Sequence, residues 1–290
     1  MSRPVSLTLA HNCRAYSMST SRGAFAVLDC APPQGIFHRG TVLLLPGFNG
    51  SKEDFLPLLA PLASAGFRAV AVDGKGQFES GGPREEEAYT QEKLAADVVA
   101  QTAVLTAPAG SPPVHLLGHS LGGLIARAAV LHAAPSSCPW ASLSLLASGP
   151  ASICHEQQVR IRLLLEALPV LGIEATWLRL WKAAGYDELP ASSVEFLRRR
   201  WLSTVPQQLT TTGRQLLTEP DRVNELTTSG LPVHVLSGTH DYAWPVPWQD
   251  EMAARLGARR SVIAGGRHSP QVERPVETAM ALVAFWCSIG

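Results

Sequence analysis

The stretch Pro113-Val114-His115-Leu116-Leu117-Gly118-His119-Ser120-Leu121-Gly122-Gly123-Leu124 decides how this chain folds. A short apolar run ends in Gly-x-Ser-x-Gly, and an apolar helical pattern follows from Leu124 to Leu131. Strand, sharp turn and helix in that order form a nucleophile elbow. The turn places Ser120 at strained φ/ψ, with its Oγ exposed above a sheet. Gly118 and Gly122 are required because a Cβ at either position would meet neighbouring backbone. The helix behind the serine aims its first N–H groups at any charge developing beside it.

Outward from this stretch, strand and helix patterns alternate. Thr41 to Leu45 is a fully apolar run of buried-strand length, ending at Pro46-Gly47-Phe48-Asn49-Gly50-Ser51. Ser51 reads as an N-cap, supported by Asp54, for a helix running to about Ser64 and closed by Gly66. Arg68 to Asp73 is the next strand, and Thr90 caps a helix with Leu94, Val98, Val99 and Val104 at helical spacing. Ala141 to Ala147 is another buried strand. Two shorter strands are expected at residues 5–10 and 23–30, joined through a polar turn at Ser19 to Gly23. This rhythm implies parallel βαβ units and an α/β fold, with a sheet covered on both faces. From about 152 to 228 the pattern becomes helical, and the strand signal returns at Pro232 to Leu236 and at Ser261 to Ala264.

Composition narrows the class. With 290 residues, 46% of them apolar, the chain suits one large α/β domain better than two independent ones. Twenty-four basic and 24 acidic residues cancel, so no global field favours nucleic acid or an anionic membrane. No apolar run approaches a membrane span, and Met1 to Cys13 lacks an apolar core suited to a signal peptide. Five scattered cysteines without a C-x-x-C pair argue against a disulfide scaffold and a zinc site. The expectation is a soluble cytoplasmic protein without cofactor or metal.

A serine hydroxyl needs a neighbouring base, and that base needs a third group to hold its tautomer. Asp241, in Ser237-Gly238-Thr239-His240-Asp241-Tyr242-Ala243-Trp244-Pro245, follows the strand 232–236 and is the acid expected downstream of Ser120. Asp73 also ends a strand but precedes the elbow, and it is better suited to tying down the glycine-rich loop after it. Nine histidines compete for the base. His115 and His234 lie within strands and suit local packing, whereas His119 and His240 sit beside expected site residues. His268, in Gly265-Gly266-Arg267-His268-Ser269-Pro270, lies in a loop whose glycines leave it free to present an imidazole. An oxyanion hole needs two N–H groups: Leu121 follows the nucleophile, and Phe48 or Asn49, after the strand 41–45, supplies the second.

With these pieces placed, the chain resembles the α/β-hydrolase family, specifically its esterase- and lipase-like serine hydrolases, over the sheet-forming parts of 20–290. The resemblance implies a mostly parallel eight-stranded sheet formed by 1–151 and 229–290, with a helical cap inserted at 152–228. The oxyanion loop departs from many relatives, carrying Pro46-Gly47 where they have His-Gly. The serine at the elbow separates the chain from the dehalogenase and epoxide hydrolase branch, which places an aspartate there. The expected reaction is cleavage of an ester or lactone of a medium-sized, largely apolar small molecule. Thioester cleavage or acyl transfer would use the same residues, C–C bond hydrolysis is compatible with the scaffold but has no specific support in the sequence, and a slow ligand-binding protein could keep them. His119, Trp177, Trp181 and Trp244 are candidate pocket-lining residues, although cap core is the more ordinary role for the cap tryptophans. The run Arg198-Arg199-Arg200 is expected to form a solvated face.

Overall fold

Eight strands carry the architecture: β1 (Cys13–Thr20), β2 (Gly23–Cys30), β3 (Gly40–Leu45), β4 (Phe67–Val72), β5 (Val114–His119), β6 (Trp140–Leu146), β7 (Val233–Gly238) and β8 (Arg259–Ile263). In the computed structural model, which describes residues 2–4, 7–108, 110–133, 138–184 and 189–289, they form one sheet. Its order is β1-β2-β4-β3-β5-β6-β7-β8. β1 and β2 pair antiparallel, as do β2 and β4, and every other neighbouring pair is parallel.

The helices are α1 (Leu56–Ser64), α2 (Gln91–Thr106), α3 (Leu121–His132), α4 (His155–Ala184), α5 (Ala191–Ser203), α6 (Pro206–Thr218), α7 (Val223–Thr227), α8 (Val246–Leu256), α9 (Pro270–Glu273) and α10 (Pro275–Trp286). Alternate residues of each central strand feed opposite faces of the sheet. Leu43 and Leu45 of β3 join α2, α3, α7 and α8 through Val98, Ala129, Leu226 and Met252. Val42 and Leu44 of the same strand join α1 and α10 through Leu58, Leu62, Leu282 and Trp286. Each such side chain withdrawn from water contributes about 1.5–3 kcal/mol, which is why continuous apolar runs become central strands.

The first strand is displaced from its expected place. Residues 7–10 lie outside any strand, and residues 5 and 6 lie outside the described residues. β1 instead pairs Cys13 with Cys30 in register, turning at residues 21 and 22. That register joins the two cysteines in a disulfide, which corrects the expectation drawn from their scatter. Sequence spacing concealed the pair because a hairpin brings residues 17 apart face to face.

Between β6 and β7 lie α4 to α7. The first is broken at Gly172, with φ 76° and ψ 171°, three residues beyond Pro169, which cannot donate to the helical ladder. α4, α5 and α6 bury their own cluster of Leu164, Leu168, Trp177, Phe196, Trp201 and Leu209. Val223 and Leu226 of α7 instead pack into the sheet-facing core. Entry and exit of the helical segment meet in a narrow neck. Ser152 N–H donates to the Glu219 carbonyl at 3.0 Å, and Ile153 N–H to the Leu216 carbonyl at 3.2 Å. Arg127 of α3 braces this neck through a 2.7 Å ion pair with Glu219, both side chains buried.

The arginine run does not behave as one face. Arg198 meets Glu174 in solvent, as expected of a surface residue. Arg200 is fully buried and pairs with the equally buried Asp54 at 2.8 Å, while donating to the Ser2 carbonyl at 2.9 Å. Helical spacing explains the difference, since residues two apart point to different sides of α5. No helix among the described residues is long and apolar enough to cross a membrane.

Candidate active site

Three of the strand ends just described converge on one cavity. Ser120 sits between β5 and α3 at φ 54° and ψ −121°, a conformation that L-residues rarely adopt. Its N–H donates to the Leu146 carbonyl at 2.9 Å, and its own carbonyl accepts from Gly123 N–H at 2.9 Å, so the strained turn is held from both sides. A Cβ on Gly118 would collide with the backbone of Gly122, and one on Gly122 with the carbonyls of Leu45 and Pro46. The elbow can therefore close only with glycine at both places.

His268 Nε2 lies 3.0 Å from Ser120 Oγ, and His268 Nδ1 lies 2.9 Å from Asp241 Oδ1. The three side chains come from the loops after β5, β7 and β8, at the carboxyl edge of the parallel strands. The histidine loop is clamped rather than free: Thr239 N–H donates to the Ile263 carbonyl at 3.1 Å and His240 N–H to the Gly266 carbonyl at 3.0 Å. Gly238 makes this approach possible, because a Cβ there would strike Gly266 and Arg267.

Asp241 is buried and heavily supplied with donors. Ala243 N–H reaches its Oδ1 at 2.9 Å, and the Gln249 side-chain amide reaches its Oδ2 at 2.9 Å. Burial alone would raise its pKa, but His268 and these donors outweigh burial and hold the carboxyl below its ordinary value. An ionised carboxylate against Nδ1 places the ring proton there and leaves Nε2 facing the hydroxyl as an acceptor. Gln249 had no signal in the sequence, since its role depends on α8 folding back toward its own entry loop.

His119 lines the cavity. Its Nε2 donates to the His268 carbonyl at 2.8 Å. Burial, and then the proximity of His268, lower its pKa to about 3, so it remains a neutral brace for the histidine loop. Neither of the pocket-lining candidates Trp177 and Trp244 lines the cavity; for Trp177 the cap-core role named beside that candidacy is the one it takes. Trp177 packs against Trp201 in the helical cluster, where a large apolar ring buries more area than at a wet rim. Trp244 is fully buried, with its indole N–H on the Ala151 carbonyl at 2.8 Å. The Trp181 side chain lies outside the described residues. His115 and His234 do pack locally: each meets a serine hydroxyl, Ser142 at 2.8 Å and Ser261 at 2.9 Å.

The loop after β3 runs beside the serine. Phe48 lines the cavity, and Asn49 is buried with φ 53°. Gly47 lies so close that a Cβ on it would stand 3.0 Å from Ser120 Cβ. Gln77 fixes this loop, donating to the Gly47 carbonyl at 2.9 Å while accepting from Gly74 N–H at 3.0 Å. Asp73 has the expected tethering role: it accepts from Lys52 N–H at 2.7 Å and from Glu79 N–H at 3.2 Å, and it pairs with Lys52 Nζ at 2.9 Å. Burial would lower the Lys52 pKa, but Asp73 and Glu53 overcome it and hold the ammonium charged.

The cavity holds about 230 Å³. Phe48, Ile153, Ile161, Leu216 and Ala243 give it an apolar wall, while Gln157, Arg160 and Tyr242 add polar groups. Among the described residues, no group of three or more His, Cys, Asp or Glu side chains is placed to hold a metal ion.

The chain is 41% identical over 85 residues to a putative carbamate hydrolase, RutD, from Variovorax paradoxus, covering 29% of the chain and 30% of the relative. It is 30% identical over 244 residues to the dihydrolipoyllysine-residue acetyltransferase component of an acetoin cleaving system from Cupriavidus necator, covering 81% of the chain and 60% of the relative. The chain therefore spans less than two thirds of the length of these curated relatives. Among solved structures, a thermophilic esterase from Thermogutta terrifontis superposes with a TM-score of 0.73 at 20% identity, over 95% of this chain and 99% of the esterase. The sequence profile of the alpha/beta hydrolase family matches residues 42–281, which include all three converging loops, and the chain belongs to that family.

Proposed function

We propose that the protein is a serine hydrolase that cleaves a carboxylic ester or lactone of a medium-sized small molecule through an acyl-enzyme. The observation that carries this reading is the continuous chain of contacts from Ser120 Oγ through His268 to Asp241, at 3.0 and 2.9 Å, opening on the cavity. His268 Nε2 takes the Ser120 proton as Oγ attacks the carbonyl, and Asp241 stabilises the imidazolium that forms. The same imidazolium protonates the departing alkoxide. His268 then draws a proton from water, whose oxygen attacks the acyl carbonyl; as the Oγ–acyl bond breaks, His268 returns that proton to Ser120 Oγ and the acid is released.

The oxyanion is assigned to the backbone N–H groups of Leu121 and Phe48. Among the described residues, neither N–H has an intramolecular acceptor, which leaves both available to a developing negative oxygen. In this reading residues 152–228 act as a cap on a core of 1–151 and 229–290. Ile153, Gln157, Ile161 and Leu216 support that role because they form one side of the cavity.

The names of the relatives, a carbamate hydrolase and an esterase among them, fit attack on an acyl carbonyl. The acetyltransferase relative favours one second reading, in which an alcohol or thiol replaces water as acceptor. A fluorophosphonate probe followed by peptide mapping tests the nucleophile: labelling at Ser120 that disappears in His268→Ala is expected. Labelling elsewhere, or at Ser120 undiminished by loss of His268, would overturn the assignment. Product analysis with and without added alcohol then separates hydrolysis from transfer.

A further inference from the structure

One cation at the cavity has no ion-pair partner among the described residues, and it lies on a helix of the segment between β6 and β7. Two carboxylates lie in or beside the cavity, and each already has a cation or imidazole partner. Asp54 is met by Arg200 at 2.8 Å, and Asp241 by His268 at 2.9 Å. Arg160, on α4, lines the same cavity and has no hydrogen-bond or ion-pair partner among the described residues. Its near neighbour Arg162 faces away and is occupied by Gln158 Oε1 at 3.1 Å. Gln157 lies one turn before Arg160, lines the cavity too, and also keeps its side-chain amide free of partners among the described residues. Residues three apart share a helix face, so Gln157 and the exposed Arg160 lie on one side of α4, which lines the cavity together with Ile153 and Ile161.

A purely apolar substrate would leave both donor groups without a partner on the substrate side. An anionic oxygen pair at the far end of an acyl chain would satisfy both, since guanidinium matches a carboxylate in geometry as well as charge. We propose that Arg160, assisted by Gln157, selects esters or lactones that carry a carboxylate on the acyl portion, remote from the scissile carbonyl. This rests on the serine hydrolase reading and names the substrate class of the same site. The acyl chain between the two ends lies against Phe48, Ile153, Ile161 and Leu216, so the substrate is apolar in its middle and charged at the cap end.

Matched p-nitrophenyl esters test the proposal: neutral butyrate, valerate and hexanoate against the half-esters of succinate, glutarate and adipate. The readout is the ratio of kcat/KM for acid-terminated over neutral ester at each chain length. In the native protein that ratio is expected to exceed about ten at its best chain length, the order of one charge-assisted hydrogen bond. It should shrink as salt is raised from 0.05 to about 0.5 M, because Arg160 is solvent-accessible. Arg160→Gln should bring the ratio near one, Arg160→Glu should invert it, and Arg160→Lys should restore part of it. A native ratio at or below one at every length would overturn the proposal, as would a ratio unchanged in Arg160→Gln. Turnover of the neutral esters with fluorophosphonate labelling of Ser120 would then leave the hydrolase reading standing alone. Loss of both turnover and labelling in the native protein would instead sink the hydrolase reading itself.

Discussion

The carboxyl edge of the sheet and the helical segment between β6 and β7 face each other across one cavity, yet they are held by different means. At the sheet edge, backbone does the positioning. Ser120 is pinned by two main-chain hydrogen bonds, and the histidine loop is sewn to the β7 loop by two more. In the helical segment, buried long side chains reinforce the backbone bonds of the neck: Arg200 reaches Asp54, and Arg127 reaches Glu219. The difference separates two tasks. In the proposed reading, the nucleophile turn is set largely by backbone and glycine, while the opposite wall of the cavity is set by side chains of α4 and α6.

The sharpest way to break this comparison is at the serine. Ser120→Ala should lower kcat by roughly four to six orders of magnitude while leaving the thermal midpoint nearly unchanged, because the backbone conformation remains. Steady-state kinetics beside calorimetry would show it, and retained turnover would dissolve the distinction.

A second test addresses the side-chain links. Arg200→Ala strands a buried carboxylate at Asp54 and should cost about 3–5 kcal/mol in denaturant unfolding. Arg198→Ala, only two residues away but in solvent, should cost under about 1 kcal/mol. Equal losses would mean that the helical segment is not anchored where the ion pair places it.

The third test uses pH. Burial lowers the pKa of His115 to about 4, that of His119 to about 3 and that of His234 to about 3, from an ordinary 6.5. Below about 6.5 the unfolded chain binds protons that the folded chain refuses, so stability is full above that value and declines toward pH 4. Each histidine contributes at most about 1.4 kcal/mol per pH unit. Unfolding curves of His234→Gln should show a shallower slope than those of the native protein.

The smallest effect is expected at Gln249, which stands behind the acid. Gln249→Leu removes the donor to Asp241 Oδ2 and should reduce kcat about tenfold, with little change in KM for a neutral ester. A KM change alone would place Gln249 with the substrate wall instead.

How much of this could be read beforehand follows the same division. β3, β5, β6 and β7 were visible because buried parallel strands are written as continuous apolar runs, and Ser120, Asp241 and His268 because each stands just beyond such a run or after a glycine pair. The register of β1 was hidden, since a polar edge strand has a weak pattern and Cys13 and Cys30 announce their pairing only once the hairpin turns at 21 and 22. The burial of Arg200 was hidden as well: three arginines in a row look alike until α5 is rotated against Asp54. Trp244 illustrates a third loss, because an indole suits a pocket wall and a packed core equally well by composition. Arg160 gave no signal at all, as an arginine becomes conspicuous only when every neighbouring charge has been paired off.

The neck at Ser152–Glu219 and Ile153–Leu216 gives the molecule a natural seam. Where a segment leaves and re-enters through positions within hydrogen-bond distance, its length can change between those positions without altering the span from β6 to β7. In the cap reading proposed above, the segment is a cassette that could be exchanged together with its Arg200–Asp54 anchor. A relative's helices, spliced at residues 152 and 219, would carry their own preference onto the same chemical machinery.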